Sequence, residues 1–185
     1  MELTDQQWEL FDFVKQHHYN QQRKYTGEPY FAHLLRVVQI LSRYPLTNFE
    51  LEIGLCHDLV ERTLCTKQEL ILKLKEIGYD LFPRNKIAKG VSDMTDIYTE
   101  QFYPQLSRAE RKEKEAERLL ESEFFSQNVK YAELIDNIPS ITKHDPDFVW
   151  VYLNEVANYI GDLNEGDIEL YAECRNVLDT AIASI

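Results

Sequence analysis

The amino-acid sequence predicts an all-α fold, a compact single-domain helical bundle, on three observations. Capping signatures followed by apolar residues at helical spacing recur along the chain. The β-branched residues nowhere alternate in period two between turn clusters, so strand signals are nearly absent. Only six glycines and six prolines punctuate 185 residues, with no low-complexity tract and no repeat.

Each element follows from local chemistry. Thr4 with Gln7 forms a capping box and Leu3 can staple to Trp8, which opens a first helix running to about Gln21. Arg23 to Pro29, RKYTGEP, is a loop by its glycine and proline. Pro29 opens the second helix, because its missing N–H is one of the unsatisfied donors of a first turn anyway. That helix carries His33, Leu34, Val37, Val38 and Leu41 until Pro45 stops it. The third runs from Asn48 to Thr63, NFELEIGLCHDLVERT, with Thr47 as N-cap, Glu50 at the third helical position and Leu46 stapled to Leu51. Thr66 with Glu69 opens a fourth, ended by Gly78; the stretch from there to Ser107 receives no element. Ser107 with Glu110 opens RAERKEKEAERLL, whose alternating charges mark a solvated face, one that could lie over a site but is not itself a binding motif. A helix from about Gln127 to Ile141 carries Val129, Ala132, Ile135 and Asn137. Asp145 caps the next, with Pro146 at its first position, and Asn164 to Ile185 holds the last.

Composition excludes several functions. The length suits one domain over residues 1–185 with a full core, and 44% apolar content fits a globular protein without a membrane-spanning window. The start, MELTDQQWEL, is acidic and amphipathic rather than basic then apolar, so it does not read as a secretory signal, and a cytoplasmic location is expected. Cys56, Cys65 and Cys174 form no C-x-x-C pair, which fits a reducing compartment and argues against a zinc ribbon. A net charge of −12 offers no counterion release on a duplex, so nucleic-acid binding is not expected. An anionic small molecule needs local cations or a metal to overcome that field. The acidic surface with exposed aromatics permits a homodimer.

The chemistry centres on His57 and Asp58 in an otherwise apolar helix. Helical geometry places His57 and Glu61 one turn apart on one face, with Asp58 rotated by about 100°. An imidazole beside a carboxylate on a buried helix is costly unless something pairs with them, and a divalent cation pairs with both. Taken alone, such a dipeptide is more often a solvated pair than a metal site. His17 and His18 close the first helix, where the dipole favours them, and read as structural. His144 lies in a polar loop without a role. Trp8, Phe148, Trp150 and Tyr152 read as core aromatics.

Three segments then line up: RKYTGEPYFAH at Arg23 to His33, GLCHDLVERT at Gly54 to Thr63, and VKYAELIDN at Val129 to Asn137. Together they resemble the HD-domain phosphohydrolases, in particular the branch of the alarmone (guanosine polyphosphate) hydrolases and their small stand-alone relatives. The match spans roughly residues 10 to 160. The resemblance implies a helical bundle holding a divalent cation between helices, with His33, His57 and Asp58 as metal ligands and a fourth, an Asp in the family, falling on Glu133. It makes Glu61 the first acid of a Glu-Asp pair that orients or deprotonates the attacking water, and it puts Arg23 and Asn137 near the substrate phosphates and the metal shell.

The donor set agrees on its own terms. Two imidazoles and two carboxylates suit manganese, the first choice, or iron or zinc, better than calcium, and leave positions for water and a phosphate oxygen. Arg23 and Lys24 can act as paired phosphate donors, although a solvated loop serves Lys24 equally well. Two positions depart from the family. Its second acid is replaced by Arg62, which cannot act as a base near neutral pH but adds positive charge for an anionic substrate. Glu133 lengthens a ligand arm by one methylene, with Asp136 as the fallback ligand. The expected function is a metal-dependent phosphohydrolase acting on a nucleotide, of the guanosine 3′,5′-bis-diphosphate 3′-pyrophosphohydrolase type. The alternative is a catalytically degenerate domain serving as a nucleotide sensor or protein-interaction module.

Overall fold

A computed structural model describes residues 2–46 and 49–185. Among the described residues ten helices account for the regular structure, and the only extended pairing is an isolated bridge between Gln22 and Pro29 that closes the loop before the second helix. The capping signals land where the side chains dictate. Thr4, Thr66 and Ser107 each make reciprocal capping boxes, opening α1 (Asp5–His17), α5 (Lys67–Ile77) and α7 (Arg108–Leu120). Gly78 ends α5 in the left-handed conformation, φ 100°, that an L side chain resists. The second helix, α2 (Phe31–Leu41), is preceded by a tight turn in which the Pro29 carbonyl accepts from Ala32 N–H.

Several boundaries differ from the sequence expectation. α1 stops at His17, four residues before Gln21, because the chain turns there to set His18 into the interior. The long third helix is two: α3 (Glu50–Cys56) and α4 (Leu59–Arg62), interrupted at His57 and Asp58. The expected Thr47 cap lies outside the described residues, and Phe49 enters α3 with φ 66°. An unassigned stretch forms α6 (Leu81–Met94), whose Pro83 sits harmlessly in its first turn. α8 is longer than expected, Phe124–His144, and Asp145 is its C-cap rather than the N-cap of the next helix. α9 (Val149–Ile160) and α10 (Ile168–Ala183) complete the chain, the latter capped by the Asp167 carboxylate rather than starting at Asn164.

One hydrophobic cluster contains residues from every helix, from Leu10 of α1 to Leu178 of α10. α8 runs through it, packing on α2, α3, α6, α9 and α10. Close approach is bought at two glycines: a Cβ on Gly54 would strike Leu41 of α2, and one on Gly90 of α6 would lie within 3.1 Å of three Ile53 side-chain atoms of α3. Trp8 and Trp150 are about half exposed, 48% and 57%, and not core residues, since helical spacing alone does not say which face is turned inward. Phe148 and Tyr152 are partly buried and line a cavity described below. The three cysteines are free and buried. No helix among the described residues is long and apolar enough to cross a membrane.

Candidate active site

α2 carries His33 inward, and the break between α3 and α4 presents His57 and Asp58 to it. The donor atoms of these three residues all lie within 4.8 Å of one another. The break has a local cause: the His57 ring folds back so that Nδ1–H donates to Gly54 O at 2.7 Å. A carbonyl can only accept, so Nδ1 holds a proton and Nε2 is the nitrogen turned toward the other two side chains. His33 is fixed in the same way by Asp136 Oδ2, 2.6 Å from Nδ1. The two Nε2 atoms then face each other at 3.3 Å, with Asp58 Oδ2 at 3.7 Å from His33 and 3.3 Å from His57. Two ring nitrogens and a carboxylate oxygen converging at 1% ring exposure repel unless a proton or a metal ion sits among them. This donor set fits a divalent transition metal.

The titration behaviour follows from the same geometry. Burial holds His33 neutral, below the usual imidazole range. Burial also opposes a charged His57, but the Asp58 carboxylate outweighs it and lifts that ring to about 9. Asp58 itself resists its burial and stays well below the usual carboxylate range, because His57, Arg62 and His33 surround it. The shifts of His57 and Asp58 express a site that favours positive charge, while that of His33 reports its burial.

A shell of partners orients these donors. Asp136 also accepts from Arg36 Nε at 2.6 Å, and Arg36 in turn forks onto both Glu28 oxygens at 2.9 Å. Asp136 therefore bonds the far nitrogen of His33 and stands behind that ring rather than among the converging donors. Tyr30 O–H donates to Asp58 Oδ2 at 2.6 Å. Its ring stacks on His18 at 5.1 Å and 7°. His18, expected as a structural residue favoured by the helix dipole, is fully buried, depressed by that burial, and forms the floor under Tyr30. Exposed His144 stacks on Tyr25.

Glu133 lies outside the cluster of three found among the described residues. Its Oε2 pairs with Lys130 Nζ at 2.8 Å and its Oε1 accepts from Asn137 Nδ2 at 3.0 Å. Burial would raise this carboxyl, yet Lys130 and His57 hold it below its ordinary value, so it stays ionised beside the site. Asn137 Oδ1 accepts from Arg23 at 2.7 Å, which joins two of the expected substrate contacts. Glu61, on α4, accepts from the Asp96 N–H at 3.0 Å and from Arg62 Nη2 at 3.1 Å. Burial lifts its carboxyl above the ordinary value, a direction suited to accepting a proton. Arg62 also stands 3.6 Å from Asp58 Oδ1.

Residues 11–146, most of the chain, match the model of the HD domain family. The chain belongs to that family. This HD domain is 40% identical over 58 residues to the GTP pyrophosphokinase rsh of Brucella melitensis, a match covering 31% of this chain and 8% of that protein. It is 45% identical over 53 residues to a GTP pyrophosphokinase of Myxococcus xanthus, 29% of this chain and 7% of that one. The matches thus span less than a tenth of those relatives. Its fold is that of a solved metazoan ortholog of SpoT described as hydrolysing ppGpp, with a TM-score of 0.79 at 20% identity over 97% of each chain.

Asp58 and Glu61 open from the HD domain into a cavity of about 580 Å³. Six cationic side chains line it against five acidic ones, in a protein whose net charge is −12. Arg23, Lys24 and Arg62 were expected there; Arg108, Lys112 and Lys130 were not. Lys24 is tied at the rim to Asp145 Oδ2 at 3.0 Å, and Arg108 forks onto Glu155 at 2.8 and 2.9 Å. A signal for Lys130 existed, since it stands one turn before Glu133 in the third motif. Arg108 and Lys112, four apart on α7, looked like part of a wet helix surface.

Proposed function

We propose that the protein is a divalent-metal-dependent phosphohydrolase that removes the 3′-pyrophosphate from a guanosine 3′,5′-bis-diphosphate-type nucleotide, with manganese as the metal and iron or zinc as alternatives. The observation that carries this reading is the pair of Nε2 atoms meeting Asp58 at the wall of a cavity richer in cations than the rest of the molecule. His33, His57 and Asp58 hold the metal, and Glu133 is the proposed fourth donor. A bound divalent cation supplies Lewis acidity toward a phosphoryl oxygen and lowers the pKa of water.

The chain's own residues do the rest. Glu61 takes a proton from the attacking water as the water oxygen joins phosphorus. The bond from that phosphorus to the 3′ oxygen breaks, the 3′ oxygen takes up the proton that Glu61 received, and pyrophosphate leaves. Arg23, braced by Asn137 and lying over the Tyr30 ring at 5.7 Å, and Arg62 meet the phosphate charge, with Lys24 at the rim. Tyr152, Tyr159 and Phe148 supply apolar wall for the nucleoside. Three unpaired buried cysteines favour action in the reducing cytoplasm.

The test is pyrophosphate release from a nucleotide panel by metal-loaded protein; full metal occupancy with no turnover would overturn the reading. One observation favours a second reading, a nucleotide-sensing domain without catalysis: Arg62 sits where the family has an acid and neutralises Glu61. Arg62→Asp separates them, because a sensor gains turnover while an enzyme adapted to arginine loses it.

A further inference from the structure

The Glu61 carboxylate rests on a short irregular segment, residues 95–98, between α6 and α7. The Asp96 N–H reaches Glu61 Oε2 at 3.0 Å, and the Asp96 carboxylate receives Lys112 Nζ at 2.6 Å. What fixes this segment is a row of side chains spaced by three along α7: Lys112, Glu115 and Arg118. Glu115 Oε1 accepts from both Ile97 N–H, at 2.6 Å, and Tyr98 N–H, at 2.5 Å. Arg118 donates to Ser92 O at 3.2 Å, Asp93 O at 3.1 Å and Thr95 O at 2.6 Å. It thereby covers carbonyls at the C-terminal end of α6, where a helix has no amides left to satisfy them. Arg118 Nε closes the arrangement on Glu115 Oε2 at 3.0 Å.

This clamp is not ordinary surface charge. Of thirteen residues in α7 only Glu115 and Leu119 are buried, so the helix docks through a carboxylate as much as through apolar contact. Burying an ionised carboxylate is costly unless its oxygens are fully engaged, as they are here by two amides and a guanidinium. The charge run that reads in sequence as a solvated face is, on one side, the fastening of the wall behind Glu61. The need for it is local: with Arg62 where the family has a second acid, Glu61 is the sole candidate base, and its only backbone donor is Asp96 N–H among the described residues.

We propose that Glu115 and Arg118 are positioning residues for Glu61, holding the 95–98 backbone so that the Asp96 N–H keeps that carboxylate aimed into the cavity. The catalytic consequence rests on the hydrolase reading; the geometric one does not. The charged groups facing Glu61 are Arg62, Asp96 and Asp58, and the Asp96 N–H opposes the upward push of burial on its titration. Releasing the clamp moves that titration further up.

The test follows the Asp96 amide resonance of 15N-labelled protein loaded with diamagnetic zinc against pH. In the native protein this amide reports the Glu61 titration, and Glu61→Gln abolishes the report. Glu115→Ala is expected to shrink the Asp96 response and move its midpoint upward, with kcat reduced about 10–100-fold while KM and metal content hold. Glu115→Gln, whose amide oxygen still accepts both N–H groups, restores the native response. A folded Glu115→Ala with native Asp96 titration and kcat would overturn the proposal. Should that variant not fold, Arg118→Ala decides in its place: a native Asp96 response there overturns it, a displaced one supports it. If the native protein turns over no nucleotide, the hydrolase reading fails while the amide measurement still decides the positioning role.

Discussion

Replacing Asp136 by asparagine tests how the metal site is organised, because it removes a charge without touching a ligand. Asp136 Oδ2 receives His33 Nδ1–H at 2.6 Å and Oδ1 receives Arg36 Nε at 2.6 Å. Loss of such a partner behind a ligating histidine typically weakens metal binding by about 10–100-fold, roughly 1.4–2.7 kcal/mol. A second effect is expected without metal. Burial would raise the Asp136 carboxyl, but His33 and Arg36 hold it at about 2, below its ordinary value of 3.8. A depressed carboxyl stabilises the fold above its unfolded pKa and loses that contribution as pH falls through the folded one. For a side chain only 9% exposed this amounts to on the order of 2 kcal/mol at neutral pH, fading between about pH 4 and pH 2. Calorimetric metal titration of Asp136→Asn and the native protein, with urea unfolding across that range, gives both numbers. Metal affinity equal to the native value would refute the orientation argument. Complete loss of metal would make Asp136 a ligand.

Glu61→Gln is expected to lower kcat by about 10²–10⁴ with metal content intact. Since burial lifts Glu61 above its ordinary 4.5, native activity should fall as the pH drops through a midpoint above that value, which the pH–rate profile reads directly. Chelation should lower Tm by roughly 5–10 °C relative to protein held at 100 times the metal Kd, corresponding to about 2.7 kcal/mol. His57→Gln should show no such metal-dependent shift in differential scanning. Gly90→Ala should destabilise by about 1–3 kcal/mol in urea, because the new methyl group meets three atoms of the Ile53 side chain, which must shift to admit it.

How far the sequence could be read is clearest at particular residues. Thr4, Thr66, Ser107 and Gly78 act on amides and carbonyls three or four residues away, so their effects were legible without any tertiary knowledge. α6 was not, because Pro83 and Gly90 discourage a helix on propensity. Pro83 is harmless in a first turn, and Gly90 is required only because Ile53 of α3 lies against it. The interruption at His57 and Asp58 was equally hidden, since Leu51, Leu55 and Leu59 continue a helical stripe straight through it.

Within the site, His33, His57 and Asp58 were nameable from ordered motifs, and the structure brings them together. The posts of Asp136, Glu115 and Arg118 were not nameable. A carboxylate on a helix carries no local mark of whether it faces metal, stands behind a ligand, or holds a backbone 18 residues away, as Glu115 does for Ile97.

By itself the sequence determined the helical class, the helix starts set by capping boxes and the chemical types assembled for the reaction, because capping, periodicity and donor identity are short-range properties. Tertiary structure alone decided which nitrogen of each histidine faces Asp58, which acids share the adjoining cavity and which cations line it. Those depend on contacts between residues as far apart as Arg23 and Asn137, whose meeting is set by the packing of α8 through the core.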